Sequence, residues 1–132
     1  AWTLAGQQTG RRQQSVTLPP NQALELGTVD LTGDDTTVLS ARLIINDIVA
    51  ARTTLWPEPY KYLTIPDPDL ELECIGSDTV RVRVSRPAKG VWLSAGDNVR
   101  WSDNMLDLLP DEARTIEASG LAGQEVRVRY LR

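Results

Sequence analysis

Beyond residue 69 the chain alternates. Leu70-Glu71-Leu72-Glu73-Cys74, Val80-Arg81-Val82-Arg83-Val84 and Val126-Arg127-Val128-Arg129 put apolar side chains on one side and mostly charged ones on the other, the period-two signature of strands with one buried face. The pattern predicts strands over 70–74, 79–85, 90–93, 98–101, 114–118 and 125–131. Turn signals separate them at Gly76-Ser77-Asp78, Gly96-Asp97-Asn98 and Gly120-Leu121-Ala122-Gly123. Many short strands with such punctuation, and no stretch of helical period, predict an all-β sandwich.

The first part of the chain is less regular. Residues 2–18 predict a short strand, a polar turn from Gly6 to Gly10 and a second strand ending at Leu18, stopped by Pro19-Pro20. Leu24-Glu25-Leu26 alternates, and Val29 and Leu31 lead into a turn at Gly33-Asp34-Asp35. Over 38–45, Leu39, Ala41, Leu43 and Ile45 fall on one face and Val38 and Ile44 on the other. A strand buried on both sides over part of its length, and central in its sheet, is therefore expected. Residues 48–56 are rich in β-branched side chains and run up to Pro57, which favours extended chain. Four prolines between 57 and 68 deny regular pairing and stiffen the connection, so this segment is the strongest domain boundary.

One stretch has its own local logic, Ser102-Asp103-Asn104-Met105-Leu106-Asp107-Leu108-Leu109-Pro110-Asp111-Glu112. Asp103 and Asn104 bend the chain by bonding their own backbone. Met105, Leu106, Leu108 and Leu109 then form an apolar plug, Pro110 ends any ladder, and a strand resumes from Glu112. Asp103, Asn104, Leu106, Leu108, Leu109, Pro110 and Glu112 are thus expected to make a structural corner.

Composition narrows the chemistry. With 132 residues and 41% hydrophobic content, the chain has material for one ordinary domain or two small ones with a packed core. A net charge of −4 argues against nucleic acid as the main partner. The alternating Arg81, Arg83, Arg127 and Arg129 read as the solvated sides of two strands. No apolar run approaches bilayer-spanning length, so no membrane partner is expected. The single cysteine, Cys74, shares a strand face with Leu70 and Leu72 and is expected as a small buried hydrophobe. The start at Ala1, without an initiator methionine, suggests a fragment or processed product.

There is no histidine, which removes imidazole acid/base work, His-based triads and His-ligated zinc. No cofactor motif is present. Glu71 and Glu73 sit roughly 6.5–7 Å apart by strand rise, within the range of inverting glycosidase carboxylates. Any Leu/Glu alternation produces that spacing, so no catalytic residue is assigned. Carbohydrate binding is a more specific idea, because exposed indoles stack on sugar C–H faces. Trp92 and Trp101, flanking the Gly96 turn, are the candidates. The other large aromatics, in a chain without phenylalanine, are expected to fill core volume. Asp97, Asp103 and Asp107 are the only loop carboxylates considered for calcium, and solvated aspartates are the commoner outcome, so no metal site is assigned.

The segment Arg86-Pro87-Ala88-Lys89-Gly90-Val91-Trp92-Leu93, followed by the corner, resembles the last β-sandwich of the β-mannosidase-like enzymes of glycoside hydrolase family 2. There an "Ala-Lys-x-Val-x-Leu" strand leads into "Ser-Asp-Asn-(two large apolar)-x-Leu-Leu-Pro-Gly-Glu". Asp111 stands where glycine is usual, and Met105-Leu106 replace an aromatic pair. Tyr60-Lys61-Tyr62-Leu63 is similar to the family's "Pro-x-x-Lys-x-Leu" crossover, and Arg52 to Trp56 resembles the strand before it. The resemblance implies that 1–57 are later strands of a penultimate immunoglobulin-like domain and 58–132 a C-terminal immunoglobulin-like β-sandwich. It implies a non-catalytic accessory role in a parent hydrolysing β-mannosides or related β-glycosides as a retaining enzyme. The family's catalytic glutamates lie in a (β/α)₈ barrel of about 250 residues, so none maps here. Expected partners are the remaining domains of the parent, with self-association through 1–57 as a second route because strands there lack neighbours. The alternative is a stand-alone carbohydrate-binding or protein-interaction β-sandwich module.

Overall fold

The computed structural model describes residues 1–28, 36–57 and 59–132. The expected turn at Gly33-Asp34-Asp35 with Val29 and Leu31 before it, and Glu58 within the proline segment, lie outside the described residues. Among the described residues, ten strands and one short turn of 3₁₀-helix appear in order: β1 (Trp2–Thr3), β2 (Thr37–Ile45), β3 (Ile48–Leu55), the turn Tyr60–Tyr62, β4 (Glu71–Cys74), β5 (Thr79–Arg83), β6 (Ala88–Ser94), β7 (Arg100–Trp101), β8 (Leu106–Leu108), β9 (Arg114–Ser119) and β10 (Arg127–Arg129). They form three antiparallel sheets, ordered β1-β2-β3, β10-β6-β8 and β4-β5-β9-β7. The protein is all-β.

The last two sheets pack face to face. Alternation explains why: Val80 and Val82 on β5, Val91 and Leu93 on β6, Leu106 and Leu108 on β8, and Ile116 and Ala118 on β9 point inward and are nearly sealed from water, with Leu121 closing one end. Burying side chains of this size stabilises the fold by about 1.5–3 kcal/mol each. The outward positions of β4 and β5 carry the charges, and the register sets Glu71 opposite Arg83 and Glu73 opposite Arg81. Each pair forms a surface ion pair, so the two glutamates neutralise neighbouring arginines.

The N-terminal sheet is thin. Asn46 and Asp47, both in the left-handed region (φ 51° and 63°), make the two-residue turn of the β2–β3 hairpin. β1 pairs with β2 only at Thr37 and Val38, and Trp2 also bridges Gln8 on its other side. Among the described residues β2 is the middle strand of this sheet, as expected, but beyond Val38 β3 alone flanks it, and the expected burial on both faces is not found. Val38 is sealed, but Leu43, Ile44, Ile45 and Ile48 are exposed, Ile48 at 69%. Residues 9–28 form no sheet ladder, so the strand expected to end at Leu18 and the Leu24–Leu26 alternation find no partner. Cys74 is exposed, a second correction: β4 is an edge strand and ends at this residue, beyond the reach of the core.

The proline segment does not hang free. Pro68 O accepts from the backbone N–H groups of Ser85 (2.9 Å) and Arg86 (3.2 Å), and Pro68 and Pro87 are fully buried. Gly6 (φ +89°) approaches the same point. A Cβ there would lie 2.3 Å from Ser85 O, so only glycine lets the N-terminal turn close against the sandwich.

Candidate functional site

The corner between β7 and β9 is where the two parts of the chain meet. Its first element is a strand substitute. Asn104 Oδ1 accepts from Leu93 N and its Nδ2 donates to Leu93 O, both at 2.8 Å, so one amide side chain satisfies a residue of β6 as a neighbouring strand would. Asp103 accepts from Asn104 N at 2.9 Å and from Arg114 Nη2 at 2.6 Å. Met105 then takes a left-handed conformation (φ 55°), which turns its side chain out to 60% exposure. Met105 is therefore not part of the plug. Asp111, which stands where glycine is usual in the family, has no positive φ.

Adjacent leucines divide between two cores. Leu106 and Leu108 belong to the sandwich interior. Leu109 packs instead with Trp2, Leu4, Val38 and Trp56, with Tyr60 and Leu63 at the margin. The chain switches sides because β8 ends at Leu108 and Pro110 prevents it from continuing as a ladder.

Asp107, between those leucines, is the hub. Opposite it β6 carries an extra residue, the register passing from Ala88↔Leu108 to Val91↔Leu106. Gly90 absorbs this bulge at φ +60°. Asp107 Oδ1 accepts the freed Gly90 N–H at 2.9 Å. Its Oδ2 accepts from Thr54 Oγ1 (2.5 Å), Trp56 Nε1 (2.9 Å) and Lys89 Nζ (3.4 Å). Lys89 also lies over the rings of Trp56 (5.3 Å) and Tyr60 (5.0 Å), within cation–π reach.

A second clamp explains a feature of the hairpin. Arg42 and Arg52 are directly opposed on β2 and β3, an arrangement that repels. Glu112 bonds both guanidiniums, and Asp111 bonds Arg42 as well. Burial pushes the Glu112 carboxyl up, but the Arg52 hydrogen bond and the charges of Arg52, Arg42 and Arg114 outweigh it and hold the group below the usual carboxylate range. The Glu112 hydrogen bond raises Arg52 in turn.

Between hairpin and corner lies an open cleft of about 500 Å³, lined by Ser40, Arg52, Thr54, Asp103, Asp107 and Glu112 among others. Its three carboxylates already accept from arginine, threonine or tryptophan donors. Asp103 and Asp107 are thus already engaged by other donors. Among the described residues no cluster of three acidic or thiol groups could hold a metal ion. Of the expected residues, Asp103, Asn104, Leu106, Leu108, Leu109, Pro110 and Glu112 do lie together here. Trp92 is exposed on the outer side of β6, while Trp101 is half-buried against the sandwich core. Sequence reading missed Arg42, Arg52, Thr54 and Asp107 as partners. A pair of arginines placed to face each other across a hairpin is the signal that would have found two of them.

The fold and this corner define an immunoglobulin-like sandwich joined to an N-terminal three-stranded sheet. Residues 65–132 match the family profile described as an Ig-fold domain of mannosidases, and residues 1–62 that described as a mannosidase Ig/CBM-like domain. The chain belongs to the immunoglobulin-like region of the β-mannosidase-like enzymes of glycoside hydrolase family 2. It is 30% identical over 124 residues to β-mannosidase B of Emericella nidulans, covering 89% of this chain and 15% of that protein. To β-mannosidase B of Aspergillus niger it is 30% identical over 128 residues, covering 90% and 15%. The Aspergillus fumigatus protein of the same name is 28% identical over 125 residues, covering 89% and 15%. The chain therefore spans about 15% of the length of these curated relatives.

Proposed function

We propose that this chain is a non-catalytic C-terminal accessory region of a β-mannosidase-like glycoside hydrolase. In this reading residues 1–57 are the later strands of a penultimate immunoglobulin-like domain and 58–132 the terminal sandwich. The corner from Asp103 to Glu112 is the structural joint that fixes one against the other. The observation that carries the reading is the division of labour at Leu108-Leu109 and Asp107, where three consecutive side chains engage both parts of the chain. The parent enzyme hydrolyses β-mannosides or related β-glycosides with a retaining carboxylate pair outside these 132 residues. Its remaining domains cover the exposed apolar hairpin, and in isolation that hairpin edge pairs with a second copy.

The isolated chain is expected to show no turnover of aryl β-mannosides. Turnover that disappeared in Glu71→Gln, Glu73→Gln or Glu112→Gln would overturn the accessory role. Light scattering after size-exclusion chromatography tests the edge: a strictly monomeric chain with fast amide exchange throughout 39–45 would contradict pairing there.

A further inference from the structure

Away from the joint, the outer side of the β10-β6-β8 sheet presents a second arrangement. Trp92 is 46% exposed. Its directly opposed neighbour on β10 is Arg129, and the next outward pair is Ser94 with Arg127. Opposed side chains stand about 4.5–5.5 Å apart at Cβ and diagonal ones about 7–8 Å, so Arg129 and Arg127 are the indole's neighbours on this face.

Neither has a carboxylate partner among the described residues. Arg42, Arg52, Arg81, Arg83, Arg86, Lys89, Arg114 and Arg132 do; Arg11, Arg12, Lys61 and Arg100 form no ion pair there either, but Arg127 and Arg129 share one strand, β10, beside an exposed indole. Two unneutralised like charges on one strand face repel, and this is a chain of net charge −4, with carboxylates available elsewhere. Beside them a cleft of about 270 Å³ is lined by Ser94, Gly96, Gln124, Glu125 and Arg127. Gln124 is held in place by bonds to Gly96 N (3.1 Å) and Gly120 O (3.0 Å). Met105 is exposed, and its Cε lies 3.8 Å from where a Cβ on Gly90 would stand, two residues before Trp92 on β6.

We propose that this face binds an acidic saccharide, its pyranose ring stacked on Trp92 and its carboxylate held by Arg129 and Arg127. A pyranose has an apolar C–H face that loses contact with water when it lies on an indole. A guanidinium fork matches a carboxylate with two parallel hydrogen bonds, a match no hydroxyl reproduces. Glu125, across the cleft, repels the carboxylate and directs it toward Arg129, while Ser94 and Gln124 are placed to meet ring hydroxyls. A neutral sugar would leave both guanidiniums unpaired.

The test compares two tetrasaccharides that differ only at C6: β-1,4-linked tetramannuronate and β-1,4-linked mannotetraose. Each is titrated into the 132-residue chain by calorimetry, and the indole N–H resonance of Trp92 is followed by NMR. Tetramannuronate is expected to bind at least about tenfold more tightly than mannotetraose, to shift the Trp92 resonance and to weaken as salt is raised. Trp92→Ala and the double variant Arg127→Ala/Arg129→Ala should each lose at least about tenfold. Both sites are on the solvent face, and amide spectra of the variants check that the fold is intact. Equal affinity for the two tetramers, binding retained in both variants, or no binding of either would overturn the proposal.

Discussion

The sandwich and the N-terminal sheet are both antiparallel and both rich in valine, isoleucine and leucine, yet they bury these residues very differently. In the sandwich every inward side chain of β5, β6, β8 and β9 meets a facing sheet, and Val80, Val82 and Val91 have no exposed surface at all. In the hairpin, Leu43, Ile44, Ile45 and Ile48 belong to strands just as well paired along the backbone but remain open to water. Hydrogen-bonded pairing and burial are separate achievements. A strand becomes core only when a second layer covers it. What the hairpin does bury, Val38 and Trp56, it buries against Leu109 of the corner and the first residues of the chain.

Leu108→Ala and Leu109→Ala break the comparison most directly. Each removes a buried leucine and is expected to cost about 2–5 kcal/mol, but in different places. Leu108→Ala should lower the denaturation midpoint of the sandwich. Leu109→Ala should loosen the N-terminal sheet, so that amides of 37–40 lose protection from exchange while those of 80–82 keep it. Unchanged midpoints in both variants would mean that the plug is solvent-exposed.

The hub should matter next. Hydrogen bonds to a charged acceptor contribute about 1.5–3 kcal/mol, so Asp107→Ala is expected to destabilise by about that amount, leaving the Trp56 N–H and Gly90 N–H without their acceptor. A double-mutant cycle with Thr54→Val checks that the contact crosses between the two parts. Strict additivity of the two substitutions would show that it does not.

The smallest effect is the pH dependence of the clamp. Glu112 titrates below its ordinary value in the folded chain, so the unfolded state takes up its proton first as pH falls. The stabilisation is fully present above about pH 4.3, the ordinary glutamate value. It is lost as pH drops below that toward the folded value. Because the partners are partly exposed, its size should be on the order of 1 kcal/mol. Comparing unfolding of the parent chain and Glu112→Gln across this interval isolates it. Identical slopes would exclude Glu112 as the titrating group.

Much of the sandwich could be read from the chain before its structure. Alternation in 70–84 and 126–129 sets which side chains face inward, because strand geometry places successive residues on opposite faces whatever the surroundings. The corner was legible for the same local reason, since Asp103, Asn104 and Pro110 act on their own backbone. Tertiary structure alone decided the rest. Leu108 and Leu109 are indistinguishable in sequence, and only the end of β8 sends them to different cores. Cys74 has the face of a buried residue but the position of a strand end on an edge. Val38 to Ile45 carries enough apolar side chains for burial on both faces, yet only Val38 is sealed, because only there do Leu109, Trp56 and the first residues of the chain cover the strand. Asp107 became a hub when a bulge at Gly90 freed one N–H and the hairpin delivered Thr54 and Trp56 to the same carboxylate. Periodicity is a property of neighbours along the chain, whereas burial and hydrogen-bond partnership depend on segments far apart in sequence. No local pattern could have specified them.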